Sequence, residues 1–156
     1  MTDPDHRKIL GGFGDVVTTQ GWDRLGDYVT EDALWEYPQS GERFRGLANI
    51  RATFENYPEL GPGTSEVEEV IGGTAYALTP MYTLVAVSGS GDRGTAITRV
   101  RYPDGSRWWA VNVYDLRDGK IARARTFFAP EFEPPEWRRP FHDVEARVDP
   151  SAASED

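Results

Sequence analysis

Residues 107–130 read as two strand-length runs, RWWAVNVYDLR and KIARARTFFAP, separated by Asp118-Gly119. Asp-Gly between alternating apolar runs signals a tight hairpin, because both residues tolerate the positive φ that a two-residue reversal needs. A period of two puts Trp108, Ala110, Asn112 and Tyr114 on one face of the first run, and Trp109, Val111, Val113 and Asp115 on the other. Both faces are too apolar for a sheet with one wet side. One is expected to line a core or cavity, the other to meet a helix layer or a second subunit. The prediction is a curved sheet around a pocket. On the second run Ala122, Ala124 and Thr126 form a small face that leaves room for a ligand. Arg123 and Arg125 then point the other way, and are expected to pair with acids across a subunit contact.

Upstream the periodicity changes. Ile9, Leu10, Phe13, Val16 and Val17 follow helical spacing behind Asp3-Pro4, which resembles a cap followed by a first-turn proline. Gly11, Gly12 and Gly14 each weaken this helix by about 1 kcal/mol relative to Ala, which implies close backbone packing or an early end. Gly21 stops it. A second short helix groups Trp22, Leu25 and Val29. Residues 32–38 read as a strand ended by Pro38, 41–46 as a turn and strand, and Leu47, Ile50, Phe54 and Tyr57 as a third helix halted before Pro58. Further strands are expected near 66–71, 75–88, 95–102, 106–117 and 120–129. Helices first and a run of antiparallel strands after predict an α+β fold, with three N-terminal helices against a cone-shaped, curved antiparallel sheet that encloses a pocket.

At 156 residues one domain is expected, spanning 1–142. The arm 130–142 is rich in proline and aromatic residues, and 143–156 is expected to be a loose polar tail. Phe132, Trp137 and Phe141 are expected to anchor the arm across the cone mouth or onto a partner subunit, since its four prolines cannot donate to a sheet. The net charge of −9 argues against nucleic acid and anionic membrane as partners. No apolar run is long enough to span a bilayer and the N-terminus has no apolar signal core, so a cytoplasmic location is expected. With no cysteine there is no thiol nucleophile and no thiolate metal site.

Candidate chemistry is sparse. Residues 89–94 spell G-x-G-x-x-G, but a β-branched, strand-like run follows where a dinucleotide site needs a helix, so a hairpin loop is expected. The two histidines are isolated, which disfavours a zinc site or a Ser-His-Asp triad. His6 is expected at the surface and His142 in the arm. Most carboxylates fall in turns; Glu36 and Asp115 lie within strands. Glu36 faces away from Trp35 and Tyr37. Asp115 would turn inward only if the register slipped by one residue, and would then be the single buried acid. Aromatic residues are the richer signal: they can build a core or frame a cavity in which Tyr37, Asn112 and Tyr114 are polar handles.

The segments EDALWEYPQSGERFRGLANIRATFENYP (31–58), VNVYDLRDGKIARARTFFAP (111–130) and FEPPEWRRPF (132–141) resemble SnoaL-like domains of the nuclear transport factor 2-like superfamily, a likeness that covers most of residues 5–141. The resemblance implies an α+β cone, commonly a homodimer through the outer face of its sheet. Polyketide cyclases, ketosteroid isomerases, limonene epoxide hydrolases and dehydratases share this fold. In the ketosteroid-isomerase pattern the general-base Asp falls on Tyr37, one oxyanion donor near Phe13 and the other on Asn112. The base and one donor are therefore replaced, and a neutral phenol is a poor base at neutral pH. The Asp-Arg-Asp trio of the epoxide hydrolases is absent from the inward set, and Asn112 stands where the cyclases use an acid.

Two readings follow. One is a metal-independent, cofactor-free cyclase, isomerase or hydrolase acting on a small hydrophobic, oxygenated molecule of polyketide, steroid or terpenoid type. Tyr37, Asn112 and Tyr114 would act on the substrate oxygen, and Phe13, Trp35, Phe54, Tyr57, Trp108, Thr126 and Phe128 would frame it. The other is a non-catalytic ligand-binding or dimeric scaffold domain.

Overall fold

The computed structural model describes residues 4–57, 66–70, 74–78, 82–101 and 106–144. Helix α1 (His6–Thr19) is followed by a 3-10 turn (Trp22–Asp27), strands β1 (Val29–Tyr37) and β2 (Glu42–Arg45), and helix α2 (Leu47–Glu55). Then come β3 (Glu66–Val70), β4 (Thr74–Leu78), β5 (Tyr82–Ser90), β6 (Arg93–Arg101), β7 (Arg107–Arg117), β8 (Lys120–Pro130) and a second 3-10 turn (Glu136–Phe141).

Helix α1 is capped by Asp5, whose Oδ1 accepts from the Lys8 N–H at 3.0 Å; Asp3, the expected cap, lies outside the described residues. The helix runs unbroken through its three glycines. The reason is local: a Cβ on Gly12 would overlap the ring of Tyr28, so the missing side chain is what lets the helix seat there. Leu10, Phe13, Val16 and Val17 are its buried stripe. Gln20 turns left-handed at φ 55° and Gly21 N–H bonds Val16 O at 2.9 Å, which ends the helix at the expected place. Val29, expected on the second helix, instead opens β1, because the 3-10 turn closes at Asp27.

One eight-stranded sheet has the order β2-β1-β8-β7-β6-β5-β4-β3. It is curved and does not close into a barrel. Neighbours are antiparallel except β1 and β8, which run parallel with Trp35 opposite Ala124. The Asp118-Gly119 reversal forms as expected, with φ of 52° and 74° at its two residues. The stretch 75–88, expected as one strand, is two: β4 and β5 pair antiparallel through Leu78 and Thr83. Pro80 stands between them in sequence and lies outside the described residues.

The helices cover one face of the sheet. Leu10, Phe13 and Val16 of α1, Ile50 of α2 and Leu25 of the 3-10 turn pack with Trp35, Ala96, Tyr114, Leu116, Ile121 and Ala124 into a single core. On β7, Ala110, Tyr114 and Leu116 are buried, whereas Trp109 and Val111 are exposed. The register with Asn112 inward is therefore the one observed, and Asp115 does not turn into the core.

The other face carries acids clamped between arginines. Glu36 pairs with Arg43 at 3.1 Å and Arg123 at 2.7 Å, Asp115 with Arg93 at 2.8 Å and Arg125 at 3.8 Å, and Glu131 with Arg99 at 2.7 Å and Arg107 at 3.2 Å. The acids that Arg123 and Arg125 were expected to find across a subunit contact are thus Glu36 and Asp115 of the same chain, brought beside them by strand pairing. In the arm, Phe132, Trp137 and Phe141 are 69%, 72% and 83% exposed and are not among the residues that line the cavity between sheet and helices, so within one chain they do not seal the cone.

Candidate functional site

The space between sheet and helices is a cavity of about 130 Å³. Its walls are built by aromatic packing. Phe13 stacks on Trp35 with centroids 5.3 Å apart, and Phe54 meets Trp35 edge-on at 5.7 Å. Trp22 lies parallel to Phe54 at 6.2 Å and braces it from behind. Tyr37 meets Phe128 edge-on at 5.1 Å, joining β1 to β8 on the same lining. Ala110 and Ala124 stand where larger residues would fill the volume; of the small face expected on β8, Ala124 and Thr126 line the cavity and Ala122 does not, Ile121 lining it instead beside the register shift at Asp115/Leu116.

Polar atoms on this lining are few and ordered. Trp35 Nε1–H donates to Thr126 Oγ1 at 3.1 Å, and Thr126 Oγ1 donates to Asn112 Oδ1 at 2.8 Å. An indole N–H can only donate, so the threonine oxygen accepts from it and passes its own hydrogen on. The amide oxygen of Asn112 is therefore taken. Among the described residues its Nδ2 has no hydrogen-bond partner.

Tyr114 faces the cavity with its ring while its hydroxyl meets His6 Nδ1 at 3.0 Å. His6 Nε2 lies 2.9 Å from the carbonyl oxygen of Gly91, which can only accept. In the neutral imidazole Nε2 thus carries the hydrogen, Nδ1 accepts, and the phenol proton of Tyr114 is committed to His6. Burial pushes the Tyr114 hydroxyl up to about 12, so the phenolate is out of reach at neutral pH. His6, expected at the surface, is only 7% exposed. It is buried because Gly89 and Gly94, paired across β5 and β6, leave a hollow for it: a Cβ on Gly89 would come within 2.6 Å of Nδ1, and one on Gly94 would overlap the phenol. Two glycines of the G-x-G-x-x-G run therefore serve close packing in a hairpin, with Gly91 at φ 57° in its turn.

Of the residues expected to frame a site, Phe13, Trp35, Tyr37, Phe54, Tyr57, Asn112, Tyr114, Thr126 and Phe128 all line the cavity. Trp108 does not. It shares their face but sits at the strand's start opposite Pro130, where its Nε1–H donates to Ser106 Oγ at 3.1 Å. Thr53, Thr98 and Val100 line the cavity and were not anticipated; Thr98 and Val100 are a period-of-two signal on β6 that continues from buried Ala96. His142 does not line it. Among the described residues none that lines it is an Asp, Glu, His, Lys or Arg. Among the described residues no group of three or more His, Cys, Asp or Glu is placed to hold a metal ion, and no helix is long and apolar enough to cross a membrane.

The SnoaL-like domain model matches residues 12–124, which contain α2, the larger part of α1 and strands β1 to β7. The chain belongs to the SnoaL-like family. Solved structures agree with this SnoaL-like fold. An NTF-2 like protein of unknown function from Burkholderia xenovorans LB400 is 24% identical, with 90% of this chain and 94% of that one covered and a TM-score of 0.66. A proposed ketosteroid isomerase from Kribbella flavida is 21% identical, covers 92% and 93%, and has a TM-score of 0.68. A proposed polyketide cyclase from Sinorhizobium meliloti is 20% identical, covers 76% and 93%, and has a TM-score of 0.54. At these identities the likeness is one of fold. Among curated proteins none matches this SnoaL-like domain significantly.

Proposed function

We propose that this SnoaL-like domain binds a small, hydrophobic, oxygen-bearing molecule in the cavity, with Asn112 of β7 and Tyr37 of β1 as its polar contacts. One observation carries the reading: an apolar, aromatic-walled cavity whose polar end is a half-buried amide with its nitrogen unpartnered among the described residues. Such a combination is the usual make-up of a small-molecule site. The ionisable groups of the lining weigh against acid–base turnover of the isomerase or cyclase kind. Asn112 can stabilise charge on an oxygen, but it cannot move a proton at neutral pH, and the proton of Tyr114 is held by His6. Binding is therefore favoured over catalysis.

The test is extraction of the purified, full-length protein followed by mass spectrometry, alongside Ala110→Leu, which fills the cavity from β7. A neutral apolar compound carried by the wild type and lost from the variant is the expected result. A wild type that carries nothing and shows no response to a library of apolar carbonyl compounds in ligand-observed NMR overturns the reading.

Association of two copies through the outer sheet face belongs to the same proposal. Val111 and Phe127 are neighbours on β7 and β8 and are 38% and 41% exposed, with Trp109 37% exposed beside them. Light scattering on Val111→Glu checks it: a dimer in the wild type and a monomer in the variant are expected, and a monomeric wild type overturns it.

A further inference from the structure

The polar end of the cavity has a direction, and that direction is set by the neighbours of Asn112 on the same lining. We infer that the relay from Trp35 through Thr126 fixes the Asn112 amide with its nitrogen toward the cavity, so that the site selects neutral carbonyl compounds. This rests on the binding proposal and gives it a substrate class.

An asparagine side chain can turn over and exchange its oxygen for its nitrogen, and only its hydrogen-bond partners decide between the two states. Here the partners decide. Thr126 is 4% exposed, and its single hydroxyl hydrogen has one acceptor in reach, Asn112 Oδ1 at 2.8 Å. If the amide turned over, the threonine oxygen would receive both Trp35 Nε1–H and an Asn112 N–H, and its own hydrogen would be left buried without an acceptor. That state is disfavoured by the desolvation of the stranded group, whereas the observed one satisfies the Trp35 donor, the Thr126 hydroxyl and the Asn112 carbonyl and leaves only Nδ2 open to a ligand. Trp35 is essential to this logic because it is donor-only and is itself held between Phe13 and Phe54. Trp35 and Thr126 are therefore positioning residues for the Asn112 donor.

What the cavity accepts follows. Nδ2 offers hydrogens and no lone pair, so it rewards a carbonyl oxygen. Among the described residues no cation lines the cavity to neutralise a carboxylate, and no anion to hold an ammonium. A volume of about 130 Å³ is close to the roughly 150 Å³ cavity that holds a benzene ring. The class is a neutral ketone, aldehyde or ester about one ring in size.

Three probes of one shape test this: acetophenone, α-methylstyrene, which replaces the carbonyl oxygen with a methylene group, and benzoate, which adds charge. Affinities are measured by ligand-observed NMR on the full chain. The wild type is expected to prefer acetophenone over α-methylstyrene by about 5- to 10-fold, the range of one net hydrogen bond, and to leave benzoate unbound. In Thr126→Val the amide loses its anchor and the preference is expected to shrink to about 2-fold while both neutral probes still bind. Thr126→Ser, which restores the hydroxyl, is expected to restore the preference. If Thr126→Val fails to fold, the Asn112 side-chain NH₂ resonances in labelled wild type carry the test: they should shift with acetophenone and not with α-methylstyrene. Equal affinity for the two neutral probes in the wild type, or a preference unchanged in Thr126→Val, overturns the relay and leaves the binding proposal standing. Failure of every neutral probe to bind removes both.

Discussion

The phenol of Tyr114 donates to Nδ1 of His6 across 3.0 Å, tying β7 to the first turn of α1 over a sequence separation of 108 residues. Gly91 O completes the tie from the β5–β6 turn by accepting from Nε2 at 2.9 Å. Three elements that share no local sequence are thereby held at one point under the helix layer.

Tyr114→Phe breaks this tie and leaves Nδ1 of a buried imidazole without a donor. The expected cost is about 1 to 2 kcal/mol, because a stranded polar atom forfeits more than the bond itself. Urea denaturation of both proteins measures it. Cavity binding should survive the change, since the ring that lines the cavity is kept.

The same phenol makes the fold sensitive to alkali. Its value is raised from 10.0 to about 12 by burial, so the native chain holds a proton there that the unfolded chain releases. Stability from this group is complete below pH 10, and declines as pH rises through the interval up to about 12. Between those limits the wild type should lose stability faster with pH than Tyr114→Phe does, as read from chemical denaturation at stepped pH.

Glycines of similar appearance should respond oppositely to alanine. Gly94→Ala forces a methyl into the Tyr114 phenol and is expected to cost about 1 to 3 kcal/mol through overpacking. Gly11→Ala, inside α1 with nothing within 4 Å of the new Cβ, is expected to add about 0.5 to 1 kcal/mol through helix propensity. Melting temperatures of the two variants should fall on either side of the wild type.

Glu36 should govern part of the acid limb. Burial acts to raise its carboxyl, but hydrogen bonding and charge from Arg123, with Arg43, outweigh this and hold it below its ordinary value of 4.5. A lowered carboxyl stabilises the fold above that range, and the contribution is lost as pH falls through the folded value. Glu36→Gln should therefore be less stable than wild type at pH 7, by about 1 kcal/mol or less for such partly exposed pairs, and the gap should narrow at a pH below 4.5. Guanidinium midpoints at the two pH values check the sign.

The β7–β8 hairpin was legible because two independent signals agreed: a period-of-two alternation and an Asp-Gly turn. From them the inward position of Asn112, Tyr114 and Thr126 follows without any long-range knowledge. His6 was illegible for the opposite reason. Its local context is an exposed helix start, and its burial comes from Tyr114 and from hollows at Gly89 and Gly94 that only sheet pairing brings together. Trp108 was placed on the correct face but at the wrong depth, since alternation reports which side a residue faces and says nothing of how far along the strand the cavity reaches. The ion partner of Arg123 was missed because Glu36 becomes its neighbour only through the parallel pairing of β1 with β8, whereas Asp115, the partner of Arg125, lies across the hairpin itself.

That parallel pairing also orders events in time. Trp35 is made early and Thr126 late, and no hollow exists until the final strand slots in beside the first. A nascent chain still lacking β8 has its aromatic wall but no opposite side to close against, so it offers sticky surface and no selectivity. The proposed binding therefore requires the chain through β8: a product that ends before Lys120 lacks the strand that carries Thr126 and has no closed cavity to fill.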